Sequence, residues 1–201
     1  MPLITIVIAT TNPGKVREIR LALEGLPLQL MTLADFPAVA EPEESGATFA
    51  DNALEKAGYY SAHTGWPAVA DDSGLVIDVL DGRPGVASAR YPGATYAEKF
   101  ASVYGELATH PRPWTARFVC SLALVDRAPG TRHVLFTCEA SVEGEIAPAP
   151  RGTNGFGYDP IFFYPPYGRT LGEVTDEEKL SVSHRGQAFR QLRAWVQATR
   201  L

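Results

Sequence analysis

Asp71 and Asp72 stand side by side, followed directly by Ser73 and Gly74, between two apolar runs. In an extended chain neighbouring side chains point to opposite faces, so one of the two carboxylates can enter a given site while the other faces core or backbone. A hard divalent ion such as Mg2+ takes one or two carboxylates and completes its shell with oxygens of a phosphorylated ligand and water. The acidic loop carrying Glu41, Glu43 and Glu44 offers the second carboxylate. Taken alone, DDSG fits a solvated Asx-type turn better than a metal site, so its chemistry depends on the company it keeps.

Three further segments supply that company. Thr10, Thr11, Asn12, Pro13, Gly14 and Lys15 join an apolar run to a helix start, where backbone N–H groups and the positive dipole end suit a phosphate and Lys15 adds a mobile charge. This is not a Walker A loop, since the first glycine is absent and Val16 stands in place of the metal-binding hydroxyl. A plain capped turn explains the segment equally well. Gly152, Thr153, Asn154, Gly155, Phe156, Gly157, Tyr158 and Asp159 place two aromatics among three glycines, where a backbone can approach a ligand and a ring can stack on a flat base or plug the core. Ser183, His184, Arg185 and Gly186 begin the last helix, with Lys179 one short helix earlier. Of 18 basic residues only four are lysines, and Lys15, Lys56 and Lys179 are three of them.

The elements that must hold these residues read as one α/β domain over residues 1–201. Residues 3–9 form an unalternating β-branched run, the pattern of a strand buried on both faces. Asn12 caps the following helix, which carries Val16, Ile19 and Leu23 to Gly25. A strand at 28–33 precedes the acidic loop, and Thr48 with Asp51 starts a helix that ends at Gly65. Strands at 68–70 and 75–80 are expected to flank DDSG as a strand end or turn. Thr95 with Glu98 caps a helix to Ala108, residues 118–125 and 134–143 read as paired strands with another starting at 144–146, and 161–164 as a short buried strand. Thr175 with Glu178 forms one more capping box, and the last helix has the apolar face Ala188, Phe189, Leu192, Trp195 and Val196. Cys120 and Cys138 fall inside apolar β-like runs and read as buried strand thiols.

The balance of charge narrows the function. A net charge of −5 argues against nucleic acid, which needs clustered Lys and Arg, but allows a small phosphorylated substrate. No apolar run reaches the roughly 20 residues that span a bilayer and no signal-like start is present, so the expected place is the cytoplasm, without membrane contact.

The segments "IVIATTNPGKVREI", "TFADNALEKA", "ADDSGLVIDVLDGRPGVASARYPG", "GTNGFGYDPIFF" and "SHRGQAF" together make the chain resemble the inosine triphosphate pyrophosphatase family, also called the Ham1 or non-standard purine NTP pyrophosphatase family. The resemblance implies a central mixed twisted sheet flanked by helices, with two lobes around an active-site cleft. It implies hydrolysis of ITP, dITP and XTP to the monophosphate and pyrophosphate with Mg2+, in a homodimer. Carried over by position, Thr10 to Lys15 would hold the triphosphate, Glu43 and Asp72 the metal, and Ser73 a substrate phosphate. Asp72 would also be the general base. Phe156, Gly157, Tyr158, Asp159, Lys179, His184 and Arg185 would bind the nucleotide, with Phe156 on the base, and Lys56 would face the phosphates. Thr11 and Pro13 depart from the usual pattern, and Glu44 rivals Glu43. An enzyme of the related Maf type, cleaving pyrimidine or modified nucleotides, and a nucleotide-binding regulator without turnover are the alternatives; "SHRGQAF" argues against the first, and the intact Lys15, Asp72 and Lys179 against the second.

Overall fold

The first strand, β1 (Ile4–Ile8), is the unalternating apolar run expected at the start of the chain, and its last four residues are buried. In the computed structural model, which describes residues 4–126 and 133–199, β1 pairs in parallel with β2 (Leu28–Thr32) on one side and β3 (Ala68–Ile77) on the other. Leu3, counted with this strand in the sequence, lies outside the described residues. Between β1 and β2, α1 (Pro13–Leu23) starts at Asn12, whose side chain accepts from the N–H groups of Gly14 and Lys15. Helix α2 (Phe49–Thr64) is capped by Thr48 and stopped by Gly65, whose φ of +73° is a left-handed conformation that glycine adopts without steric penalty.

The expected break at Asp71-Asp72-Ser73-Gly74 is absent: β3 runs unbroken through all four residues. Sequence rules read the polar cluster as a turn. In the structure, β3 lies between β1 and β4 (Thr115–Asp126), so ladder hydrogen bonds hold the backbone extended. Likewise residues 144–146 start no new strand but continue β5 (His133–Ile146). Gly144 makes this possible, because a Cβ there would lie 2.5 Å from the Phe163 carbonyl oxygen. Helix α3 (Tyr96–Leu107) begins with the Thr95–Glu98 capping box and α4 (Asp176–Val182) with the Thr175–Glu178 box. Strands β6 (Phe162–Tyr164) and β7 (Arg169–Thr170) precede α4, and α5 (His184–Thr199) follows it. The strands form one mixed seven-stranded sheet in the order β2-β1-β3-β4-β5-β6-β7.

The chain divides into two compact units. The first comprises residues 1–72, 120–140 and 185–201, the second 73–119 and 141–184. In the first, β1, α2, β3 and β4 bury Val7, Ala57, Tyr60, Ala70 and Val125, and α5 contributes Ala188, Phe189, Leu192 and Val196 to the core while Trp195 packs on Phe136. In the second, Leu75, Phe100, Trp114, Phe118, Phe162 and Leu171 belong to a larger cluster. Among the described residues no helix is long and apolar enough to cross a membrane.

Both cysteines lie on strands as expected, Cys120 buried but Cys138 only half-buried. Burial pushes the Cys120 thiol well up and raises that of Cys138 to about 11. At pH 8 a thiol titrating there is roughly 0.1% thiolate, and the thiolate is the reacting form. A thiolate of higher pKa is also the stronger nucleophile, which offsets part of this, so folded protein is expected to react with a disulfide reagent at least about 10-fold more slowly than after denaturation. Rapid labelling of either thiol in the folded state would contradict the burial.

Candidate active site

The first unit places charged groups in and around β3. Because the strand is extended, Asp71 and Asp72 face opposite ways and acquire different partners. Asp71 is fully buried and its carboxylate lies 3.0 Å from Lys15 Nζ and 3.0 Å from Arg185 Nη2. Arg185 also donates through Nη1 to Glu18 Oε2 at 2.6 Å. Burial alone would raise the Asp71 pKa, but Arg185, Lys15 and Lys56 outweigh it and hold the carboxyl far below its usual range. Arg185 is the converse case: burial opposes its charge, and Asp71 and Glu18 more than restore it.

Asp72 meets another set of groups. Its Oδ2 accepts from Asn52 Nδ2 at 3.0 Å, and its Oδ1 lies 3.7 Å from Lys56 Nζ. Desolvation dominates, so its proton affinity is raised above that of an ordinary aspartate in spite of Lys56. Asn52 and Lys56 lie four residues apart on α2 and therefore on one face of it. Asn52 Oδ1 accepts from the Gly46 N–H at 2.8 Å, tying the acidic loop to the Asp72 partner. Of the loop acids, Glu44 reaches Lys56 Nζ at 2.5 Å and Glu41 accepts from the Thr11 hydroxyl at 2.5 Å. Glu43 is exposed and, among the described residues, makes no ion pair.

The turn before α1 differs from the open cradle that its sequence allowed. Asn12 Oδ1 takes the N–H groups of Gly14 at 2.9 Å and Lys15 at 3.2 Å, and Thr10 Oγ1 takes that of Asn12 at 3.2 Å. The turn therefore contributes the Thr11 side chain and the Lys15 charge more than bare N–H groups. Pro13 is exposed at the first helical position. The main-chain carbonyl of Asp71 accepts from both Lys15 Nζ at 3.2 Å and Lys56 Nζ at 3.3 Å.

The second unit holds the glycine-aromatic loop. Lys179, buried on α4, donates to Asp159 Oδ2 at 2.6 Å, and its ammonium lies 4.4 Å from the Phe156 ring centroid. The same carboxylate oxygen accepts from the Phe156 N–H at 2.7 Å. Tyr158 is buried, its hydroxyl donating to the Ser88 carbonyl at 3.0 Å, so of the two loop aromatics it is the one that fills the core. His184 is buried too, its ring stacked on Phe118 at 4.8 Å. Ser73 is half-buried on β3, and Gly157 is half-buried with φ +66°.

Gly155 has φ +71°, and a Cβ there would strike the Asp159 carboxylate. Gly155→Ala is expected to cost about 1–2 kcal/mol from backbone strain alone and to push Asp159 off Lys179. A melting curve matching wild type would show that the loop can relax without loss.

Asp71, Asp72, Lys15 and Lys56 are thus brought together in the first unit, and Phe156, Asp159 and Lys179 in the second. Arg185, expected to bind nucleotide, has its guanidinium bonded to Asp71 and Glu18 in the interior, where it acts first as their counter-ion. Glu18 and Asn52 escaped the sequence reading. The signal for both was a polar residue on the face of a helix that also carries one of the few lysines, Glu18 three residues after Lys15 and Asn52 four before Lys56.

The Ham1 family model matches residues 6–195 of this chain. The dITP/XTP pyrophosphatase of Geobacter sulfurreducens is 49% identical over 187 residues, covering 92% of each chain. That of Thermus thermophilus is 50% identical over 190 residues, covering 93% of this chain and 89% of its own. The solved structure of a HAM1 protein from Coxiella burnetii matches with a TM-score of 0.87 at 40% identity, over 98% of this chain and 100% of that one. A nucleoside-triphosphatase / dITP/XTP pyrophosphatase from Mycobacterium abscessus matches at 0.72 and 42% identity, over 94% and 97% of the two chains.

Proposed function

The chain belongs to the Ham1 family, and on that footing we propose that it hydrolyses dITP, ITP and XTP to the nucleoside monophosphate and pyrophosphate as a single catalytic domain. The observation that carries the chemistry is the pair of lysines gathered on the Asp71 carbonyl, with Asp72, a carboxylate of raised proton affinity, beside Lys56. A triphosphate carries about four negative charges, and attack by water on it requires that charge to be offset. Lys15 and Lys56 supply fixed positive charge for the phosphates, Thr10 and Ser73 are the proposed hydroxyl donors, and Thr11 joins them on giving up Glu41. Asp72 orients the attacking water and takes up its proton; an ion held on the same carboxylate would lower its proton affinity, so positioning of the water carries more of the role than proton removal.

The donor set suits Mg2+, a hard ion that binds oxygen. Asp72 and Glu43 are the proposed ligands: Glu44 is engaged by Lys56, whereas Glu43 is an exposed carboxylate on the same loop. Among the described residues no group of three or more acidic, histidine or cysteine side chains could hold an ion, so substrate oxygens and water complete the proposed shell. The ion would offset charge on the triphosphate and on the departing pyrophosphate.

In the second unit Phe156 is the proposed stacking ring, with Gly157 allowing backbone approach and Asp159 and Lys179 as polar groups for the nucleoside. Hypoxanthine and xanthine present a 6-oxo acceptor where adenine presents an amino donor, and N–H groups near His184 and Arg185 are the proposed donors that reject adenine, since buried donors left unpaired discriminate by orders of magnitude. A homodimer and a cytoplasmic setting complete the reading; two free thiols accord with a reducing compartment.

Incubation with Mg2+ and ITP, dITP, XTP, GTP or ATP is the test. Pyrophosphate is expected from the first three, GTP is expected to be excluded less strictly than ATP because guanine shares the 6-oxo group, and EDTA is expected to stop turnover. Orthophosphate as the first product would overturn attack at the α-phosphorus, and equal exclusion of GTP and ATP would overturn the account of base choice.

A further inference from the structure

Tyr96, the first residue of α3, is 42% exposed, yet its ring is held on several sides. Tyr158 meets it edge-on at 5.5 Å and 89°, Phe100 lies 6.1 Å away, and the Lys99 ammonium lies 5.3 Å from its centroid. Two of these neighbours are themselves anchored, Lys99 to the Ala89 carbonyl and Tyr158 to that of Ser88. Among the described residues the Tyr96 hydroxyl has no hydrogen-bond partner. It stands beside the glycine-aromatic loop: a Cβ on Gly157 would lie 3.6 Å from it. Burial and the nearby Asp159 charge raise the phenol, so it stays protonated and able to donate.

A rigid ring with an unused hydroxyl offers contact area and one hydrogen bond at little conformational entropy. A neutral phenol near a carboxylate suits an uncharged polar group and not a polyanion. We propose that Tyr96 is a nucleoside-binding residue of this site, its ring packing on the ligand and its hydroxyl bonding an oxygen of the sugar or base. The inference rests on the reading that Phe156, Asp159 and Lys179 hold the nucleoside.

The test compares Tyr96→Phe and Tyr96→Ala in steady-state hydrolysis of ITP and dITP, with inorganic tripolyphosphate as a competitor lacking the nucleoside. Tyr96→Phe keeps the packing and is expected to raise KM roughly threefold to tenfold, the worth of one neutral hydrogen bond, with kcat within about twofold. Tyr96→Ala is expected to raise KM further, and tripolyphosphate is expected to inhibit all three proteins equally. A rise confined to ITP assigns the contact to the 2′-hydroxyl, and a rise shared with dITP assigns it to the rest of the nucleoside; both support the proposal. KM unchanged in both variants overturns it, an effect of Tyr96→Ala alone overturns the hydrogen bond, and weakened tripolyphosphate inhibition overturns the nucleoside assignment. Phe156→Ala separates the two readings: if it raises KM while the Tyr96 variants do not, only the Tyr96 contact fails, whereas if Phe156→Ala and Lys179→Met also leave KM unmoved, the nucleoside site itself is misplaced.

Discussion

Asp72→Asn is expected to lower kcat by roughly 1,000-fold, within the range associated with loss of a positioned general base, while the protein still folds. The amide retains an oxygen to accept from Asn52, and a neutral side chain is easier to bury than the carboxylate it replaces. What disappears is the charge that attracts Lys56 and the oxygen able to take a proton. Asp71→Asn should behave in the opposite way. It leaves Arg185 and Lys15 facing an uncharged group in the interior, so its first effect is on the melting temperature. Turnover surviving in Asp72→Asn but lost in a well-folded Asp71→Asn would mean that the catalytic carboxylate is the other one.

The second large effect is expected at Arg185. Replacing it with methionine retains much of its volume but leaves Asp71 and Glu18 without the guanidinium that holds both, at 3.0 and 2.6 Å. Removing one member of a buried ion network costs about 3–5 kcal/mol, which for a chain of this length lowers the melting temperature by roughly 10 °C. Arg185→Lys keeps the charge without the two-sided fork and should fall between. The sequence resemblance assigned this residue to nucleotide binding. That role stands as a proposal beside the structural one: a variant that melts like wild type but has a raised KM for dITP would support nucleotide binding and remove the structural role.

The two arginine contacts show where sequence reading stopped. Helix starts were legible because their determinants are local: Asn12 caps its own helix, and Thr95 and Thr175 each find a glutamate three residues on. β1 was legible because a strand covered on both faces needs no polar alternation. The DDSG segment was misread for the opposite reason, since polar residues in a central strand are tolerated only when distant groups satisfy them. For Asp71 those are Lys15, 56 residues before it, and Arg185, 114 residues after it. No window along the chain contains all three. The difference between the two aspartates could be anticipated from strand alternation; which partners each would meet could not. Tyr158 and Tyr96 make the same point in the second unit. The glycine-rich context drew attention to the loop tyrosine, which plugs the core, while the exposed ring comes from a helix start some sixty residues earlier.

The single carbonyl shared by Lys15 and Lys56 bears on how a polyanion would be met. A free lysine side chain must give up rotamer freedom when it closes on a ligand. Here both ammonium groups already rest on one peptide oxygen of an interior strand, and both side chains are largely buried. Their disorder is therefore lost when the chain folds and not when the substrate arrives. A triphosphate would encounter two positive charges at a spacing set by β3, each already placed by a carboxylate, Lys15 by Asp71 and Lys56 by Glu44.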